Sequence, residues 1–240
     1  MGRFNGRTAV VTGAASGIGE ASARRLAAEG AYVIAVDVAA ESVERLAGEI
    51  GGDALVFDVS DPRAWDVISD REPTLAHLNA GIGTPGIDLG AFDDEVYERI
   101  RGVNLDAMVW GLRAVVPGMR RRGGGSIVMT SSSAGLRAYG GDPFYTATKY
   151  GVIGLARAAA QRLSRDHITV DALCPHLTDT PMASRMIEKR RRTNSGLAVD
   201  SPESVASVVA DAMADGGTGR ALVCQAGRPV FLHEEPSFEP

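Results

Sequence analysis

"VVTGAASGIGEASARRLAAEGAYVIAVD", residues 10–37, decides the fold. An apolar, β-branched run ends in a glycine loop, the loop opens an amphipathic stretch, and a second apolar run closes on Asp37. That order is a strand, a helix and a second strand of one βαβ unit. Its three glycines have separate tasks. Gly13 permits a tight turn, Gly17 lets the backbone approach a pyrophosphate, and Gly19 allows the helix to pack closely on the sheet. Ser16 and Ile18 complete the loop, where the start of the helix offers N–H groups to an anion. The unit therefore points to dinucleotide binding.

Asp37 refines the expectation. At the tip of the second strand, 18 positions past Gly19, a carboxylate can accept hydrogen bonds from both hydroxyls of an adenosine ribose and repels a 2′-phosphate. Ser16 stands where a cation would help hold that phosphate, and Val38 adds none. NAD(H) is favoured over NADP(H). The bland alternative is that Asp37 is only a solvated strand end.

Outward from this unit the same alternation continues. Apolar runs at 8–13, 31–37, 54–59, 75–81, 126–132, 168–175 and 221–225 read as buried strands, and the segments 17–29, 41–50, 93–120, 144–165 and 202–214 read as helices. This predicts a single-domain α/β protein, a Rossmann-like doubly wound parallel sheet with helices on both faces, over residues 1–240. The crossover between Asp58 and Asn79 has room only for a short helix. Residues 182–200 read as an excursion over a cleft, and 226–240 as a C-terminal extension with an apolar "PVFL" and an acidic end.

A formal net charge of −5 gives no global attraction to nucleic acid or to an anionic membrane. The basic run at 120–122 closes a helix, where cations oppose the dipole. The run at 189–192 leaves two readings open, a solvated loop face or an attraction for an anionic substrate. Cys174 and Cys224 form no C-x-x-C pair and no Cys/His array, so neither a disulfide framework nor a metal site is expected. No apolar run approaches ~20 residues and the start lacks a signal-peptide pattern, which predicts a soluble, cytoplasmic protein with a small-molecule substrate.

In "TSSSAGLRAYGGDPFYTATKYG", residues 130–151, Tyr145 precedes Lys149 by four positions. On a helix the two share a face, and an ammonium beneath a phenol pulls its pKa down from ~10 toward the range where proton transfer is useful. Chance pairing on an exposed helix is the alternative.

Taken together, these motifs resemble the short-chain dehydrogenase/reductase family over about residues 6 to 225. "TGAASGIG" at 12–19 is similar to its T-G-x-x-x-G-x-G loop, Asp58 and Val59 to its adenine contact, and Asn79, Ala80 and Gly81 to its fourth-strand signature. The resemblance implies a catalytic set of Asn104, Ser132, Tyr145 and Lys149. Ser132 holds the reacting oxygen, Tyr145 exchanges the proton, Lys149 lowers the phenol's pKa and holds the nicotinamide ribose, and Asn104 anchors a water relaying protons to Lys149. For Asn104 a helix-distorting or internally bonded amide is the alternative. "CPHLTDTPM" at 174–182 resembles the segment bordering the nicotinamide, which brings in Pro175, Thr178 and Thr180.

Two residues in that last segment depart from the family pattern. His176 stands where the family usually has Gly, and Thr178 where a β-branched apolar residue is common. Leu78 departs as well, read as packing. Expected pocket contributors are Ala134, Tyr139, Phe144, His176, Met182 and Met186. The reading is an NAD(H)-dependent oxidoreductase interconverting a secondary alcohol and a ketone, as a homodimer or homotetramer. An NADP(H)-dependent carbonyl reductase and a non-catalytic NAD(H)-binding sensor or scaffold are the alternatives.

Overall fold

The computed structural model describes residues 2–83 and 86–234. Its strands are β1 (Thr8–Thr12), β2 (Tyr32–Asp37), β3 (Asp53–Val56), β4 (Leu75–Leu78), β5 (Gly125–Thr130), β6 (Ile168–Pro175), β7 (Ala221–Cys224) and β8 (Phe231–Leu232). They form one sheet in the order β3-β2-β1-β4-β5-β6-β7-β8. The first seven are parallel, with Val10 opposite Ile34 on one side and Ala76 on the other. Only β8 runs antiparallel, along β7. It is built from the apolar part of the C-terminal extension, whose last residues, 235–240, lie outside the described residues.

The helices are α1 (Gly17–Ala28), α2 (Ala40–Ile50), α3 (Asp66–Ser69), α4 (Asp94–Arg101), α5 (Ala107–Arg121), α6 (Pro143–Leu163), α7 (Ser184–Arg191) and α8 (Pro202–Ala214). Successive strand residues point to opposite faces, and both faces are covered, which is why the strands read as unbroken apolar runs. Val10, Ile34 and Met129 meet Met108 and Val115 of α5 and Val152 and Ala156 of α6. On the other face Val11, Ala35 and Val128 meet Leu26 of α1, Leu46 of α2 and Val209 of α8. The sheet is thus wound on both sides.

The crossover helix is short, as expected, and the long helix is corrected in detail. The crossover after β3 holds only the four residues of α3, pinned by Trp65, whose Nε1 donates to the Val59 carbonyl at 2.9 Å. The helix expected over 93–120 is α4 and α5 joined by a π-helical turn, Gly102–Asp106. A tertiary bond explains the turn. Asn104, fully buried, accepts from Ile82 N at 2.8 Å, while its amide donates to Ile82 O at 2.9 Å and to Thr148 Oγ1 at 3.2 Å. Leu78 is core packing as expected, with a Cβ at Gly111 coming within 2.7 Å of it. Among the described residues no helix is long and apolar enough to cross a membrane.

Candidate active site

β1 lies between β2 and β4, so chain direction across the sheet reverses there and a crevice opens at the strands' carboxyl ends. A cleft of about 1100 Å³ fills it and extends along β5 and β6. Gly13 and Gly17 adopt φ of +66° and +55°, where an L side chain is strained. A Cβ at Gly17 would also lie 2.9 Å from Thr180 Cγ2. Gly19 has a different role, as expected. A Cβ there would meet the Gly13 carbonyl oxygen at 2.0 Å, so it closes helix onto strand and is not part of the cleft lining.

Behind the loop, a lattice of side chains locks the three central strands together. Thr12 Oγ1 accepts from Asn79 N at 2.8 Å and Ala80 N at 3.1 Å, and Asn79 Nδ2 donates to Thr12 O at 3.0 Å. Thr130 Oγ1 donates to Asn79 Oδ1 at 3.1 Å and also meets His77 Nε2 at 2.9 Å. The end of the cleft beyond the glycine loop is acidic. Asp37 Oδ2 accepts from Ala15 N at 2.9 Å and Oδ1 from Ala39 N at 3.0 Å, so two backbone donors fix the carboxylate. Asp58 and Val59 lie beside it on the cleft wall.

Ser132, Tyr145 and Lys149 line the same cleft. Asp142 caps α6, its Oδ1 accepting from Tyr145 N at 3.0 Å, and the helix then carries Lys149 inward one turn later. Lys149 is buried; its Nζ donates to Thr130 O at 2.8 Å and lies 5.5 Å from the Tyr145 ring centroid. Burial lowers its pKa to about 8. The expectation that Lys149 pulls the phenol down is not met in this arrangement. Burial holds the Tyr145 phenol above its ordinary value, Ser132 opposes this through a hydrogen bond, and the Asp142 charge adds to it. The ammonium faces the ring and the Thr130 carbonyl, while desolvation of the phenolate outweighs everything else.

The three consecutive serines divide their work. Ser131 Oγ donates to Lys149 O at 2.7 Å, Ser132 Oγ accepts from Ala134 N at 3.1 Å, and Ser133 Oγ lies 3.0 Å from His176 Nδ1. Asn104 is not in the cleft wall, yet a Cβ at Gly81 would lie 3.3 Å from Lys149 Nζ and 3.4 Å from Asn104 Oδ1. The two side chains thus approach each other behind Gly81.

Of the expected pocket residues, Ala134, Tyr139, His176, Met182 and Met186 line the cleft. Phe144 does not. Its ring packs edge-on against Phe92 at 4.8 Å and Tyr97 at 5.2 Å, because the start of α6 turns that side toward α4. Sequence reasoning missed Arg137, Arg190, Gln225 and Phe231, all of which line the cleft. For Arg190 a signal existed. It follows Met186 by four positions, and α7 puts both on one face.

A dinucleotide fits these residues. The glycine cradle has no room for Cβ atoms, one cleft of about 1100 Å³ is lined both by Asp37 and by Ser132 and Tyr145, and the buried hydroxyl of Thr178 has no hydrogen-bond partner among the described residues. The fold and site are those of a dinucleotide-dependent oxidoreductase. A family model, short chain dehydrogenase, matches residues 7–191. The chain is 34% identical to a 3-alpha-(or 20-beta)-hydroxysteroid dehydrogenase of Mycobacterium tuberculosis, over 99% of this chain and 98% of that one. Among solved structures, it superposes with a TM-score of 0.86 on a 3-ketoacyl-(acyl-carrier-protein) reductase from Brucella melitensis complexed with NADH, at 30% identity over 94% of this chain and 99% of that one. An L-sorbose reductase from Gluconobacter frateurii complexed with NADPH and L-sorbose matches with a TM-score of 0.83, at 27% identity over 95% and 97% of the two chains. The chain belongs to the short-chain dehydrogenase family and is an NAD(P)-dependent oxidoreductase.

Proposed function

We propose that the chain interconverts a secondary alcohol and a ketone with NAD(H), with Tyr145 as acid or base according to direction. One observation carries the reading: the Ser132 hydroxyl, the Tyr145 phenol and the buried Lys149 ammonium line the cleft whose adenosine end is closed by the Asp37 carboxylate. Bound there, the nicotinamide ring accepts or supplies the hydride. The glycine loop would hold the pyrophosphate, Asp37 the ribose diol, and Pro175, Thr178 and Thr180 the nicotinamide end. Ser132 stabilises the oxygen on which alkoxide charge develops, and Tyr145 takes or gives its proton. Lys149, with Asn104 behind it, supports that transfer from the protein side.

The test is reduction of NAD⁺ and NADP⁺ across a broad panel of secondary alcohols, with the native protein beside Tyr145→Phe. The expected result is NAD⁺-dependent turnover that falls by about 10³-fold in the variant while NADH binding persists. Near-native turnover by Tyr145→Phe would remove the proton assignment. NADH binding without turnover of any alcohol or ketone would favour a sensor.

A second reading, an NADP(H)-dependent carbonyl reductase, draws support from the NADPH held by the L-sorbose reductase. Preference for NADPH in the same assay selects it. The proposed assembly is a homodimer or homotetramer. Gly154 and Ala158 are exposed along α6 and leave room for another helix, whereas Gly151 faces Leu105 of its own chain. Light scattering that finds only monomer would overturn the assembly.

A further inference from the structure

The side of the cleft near Ser132 carries two arginines and a histidine that hydride transfer to a neutral alcohol does not require. Arg137 follows the short 3-10 turn Ser133–Gly135, Arg190 comes from α7, and His176 follows β6; all three line the cleft. Ser133 holds the His176 ring and the Arg137 backbone beside Ser132. Its hydroxyl meets His176 Nδ1 at 3.0 Å, and its carbonyl accepts from Arg137 N at 3.0 Å. Burial lowers the His176 pKa, the nearby Arg190 charge lowers it further, and Asp200 opposes both.

Neither guanidinium has an ion-pair or hydrogen-bond partner among the described residues. The contrast with the next arginine but one is direct, since Arg192, just past α7, is paired with Glu188 at 2.6 Å. The carboxylates nearby are otherwise engaged or placed: Asp142 is buried and caps α6, and Asp200, whose charge reaches His176, does not line the cleft. Two guanidinium groups without partners among the described residues and an imidazole line the cleft together with apolar side chains, Asp142 being the carboxylate among the lining on this side, and they suit a planar anion with a carbon skeleton attached. Met182 and Met186 supply part of that wall.

We propose that the substrate is a hydroxy acid, or the corresponding oxo acid, whose carboxylate is bound by Arg190 and Arg137 with His176 as a third hydrogen-bonding group. This rests on the alcohol–ketone reading above and names its substrate class. The positive end is a specificity device. His176, in place of the glycine the family usually has, narrows the cleft and adds a polar contact where Gly offers none.

The experiment uses the full chain saturated with NADH and pairs acetoacetate, levulinate and longer oxo acids with their methyl esters, reading both NADH oxidation and the rise in Tm. The expected result is a kcat/KM for acids above that for esters by about tenfold or more, and a Tm rise with acids only. Arg190→Ala and Arg137→Ala bring the acid-to-ester ratio close to one, and Arg190→Lys restores part of it. Ester turnover with no acid preference overturns the proposal while leaving the alcohol–ketone reading intact. An acid-specific Tm rise that Arg190→Ala abolishes, without turnover, supports the anion site and counts against hydride transfer. No Tm rise with any acid overturns the anion site. A weaker NADH Kd in Arg190→Ala, matching any loss with acids, assigns the guanidinium to the cofactor's own phosphates and also overturns it.

Discussion

Lys149 directs its Nζ to the Thr130 carbonyl at 2.8 Å and faces the Tyr145 ring at 5.5 Å from its centroid, one helical turn beyond Tyr145 on α6. Among the described residues the buried cation thus has a single neutral acceptor. Burial takes its pKa from 10.5 to about 8. The sign follows from proton counting. Between about pH 8 and 10.5 the unfolded chain holds a proton that the folded one has lost, so stability rises with pH through that window. Below it, the cost of burying the charge is fully present.

Lys149→Met therefore raises Tm at neutral pH while abolishing turnover. The relieved desolvation is on the order of 3 kcal/mol, offset by about 1 kcal/mol for the lost bond to Thr130. A net gain near ~2 kcal/mol corresponds to roughly 4–8 °C in a chain of this size. Thermal melts at increasing pH should show the gain shrinking as the wild-type lysine deprotonates. A variant that melts lower than wild type at every pH contradicts the account.

His77 gives a pH dependence of the same sign at the acid end. It is fully buried in β4, its Nε2 meets Thr130 Oγ1 at 2.9 Å, and its Nδ1 has no partner among the described residues. Burial lowers its pKa from 6.5 to about 3. Below 6.5 the unfolded chain takes up a proton that the folded chain refuses, so stability falls as pH falls toward about 3. By about pH 5 the loss is on the order of 2 kcal/mol. In His77→Gln the drop in Tm between neutral pH and about pH 5 should be smaller by roughly 5 °C. Equal drops in the two proteins would show that other groups carry the acid sensitivity.

The strands, the glycine loop and the Ser132–Tyr145–Lys149 arrangement were legible because each depends on local period or spacing. Four positions on a helix share a face whatever surrounds it. What the sequence hid depends on partners far along the chain. Phe144 reads as pocket wall from the sequence, but its direction is set by Tyr97 of α4 and by Phe92 just before that helix. The π turn at Gly102–Asp106 accompanies bonds from Asn104 to Ile82, 22 positions away. Arg190 was hidden in a basic run that reads equally as a solvated loop. Only when 184–191 is a helix does it share a face with Met186.

Asp37 is held by two backbone N–H groups, from Ala15 and Ala39, which aim its carboxylate without neutralising it. Hydrogen bonds from a ribose diol to such a charge contribute roughly 1.5–3 kcal/mol. Asp37→Ser should therefore raise the KM for NAD⁺ by about ten- to a hundredfold. It should also improve NADP⁺ use, because the repulsion of a 2′-phosphate is gone. Steady-state kinetics with both cofactors measure the two changes together. If the ratio of the two kcat/KM values does not move, the discrimination lies elsewhere in the cleft.

Two substitutions separate a structural role of Asn104 from a chemical one. Its amide satisfies both backbone groups of Ile82 and bonds Thr148. Asn104→Leu leaves those partners facing an apolar group, which costs about 2–4 kcal/mol and should lower Tm by several degrees. Asn104→Asp keeps the acceptor for Ile82 N but replaces the donor to Ile82 O, placing a carboxylate near Lys149 Nζ. If Asn104 supports proton transfer through Lys149, the pH dependence of kcat in Asn104→Asp shifts to higher pH, as a nearby anion favours the charged lysine. A purely architectural amide gives a lower Tm in both variants with the pH profile of kcat unmoved.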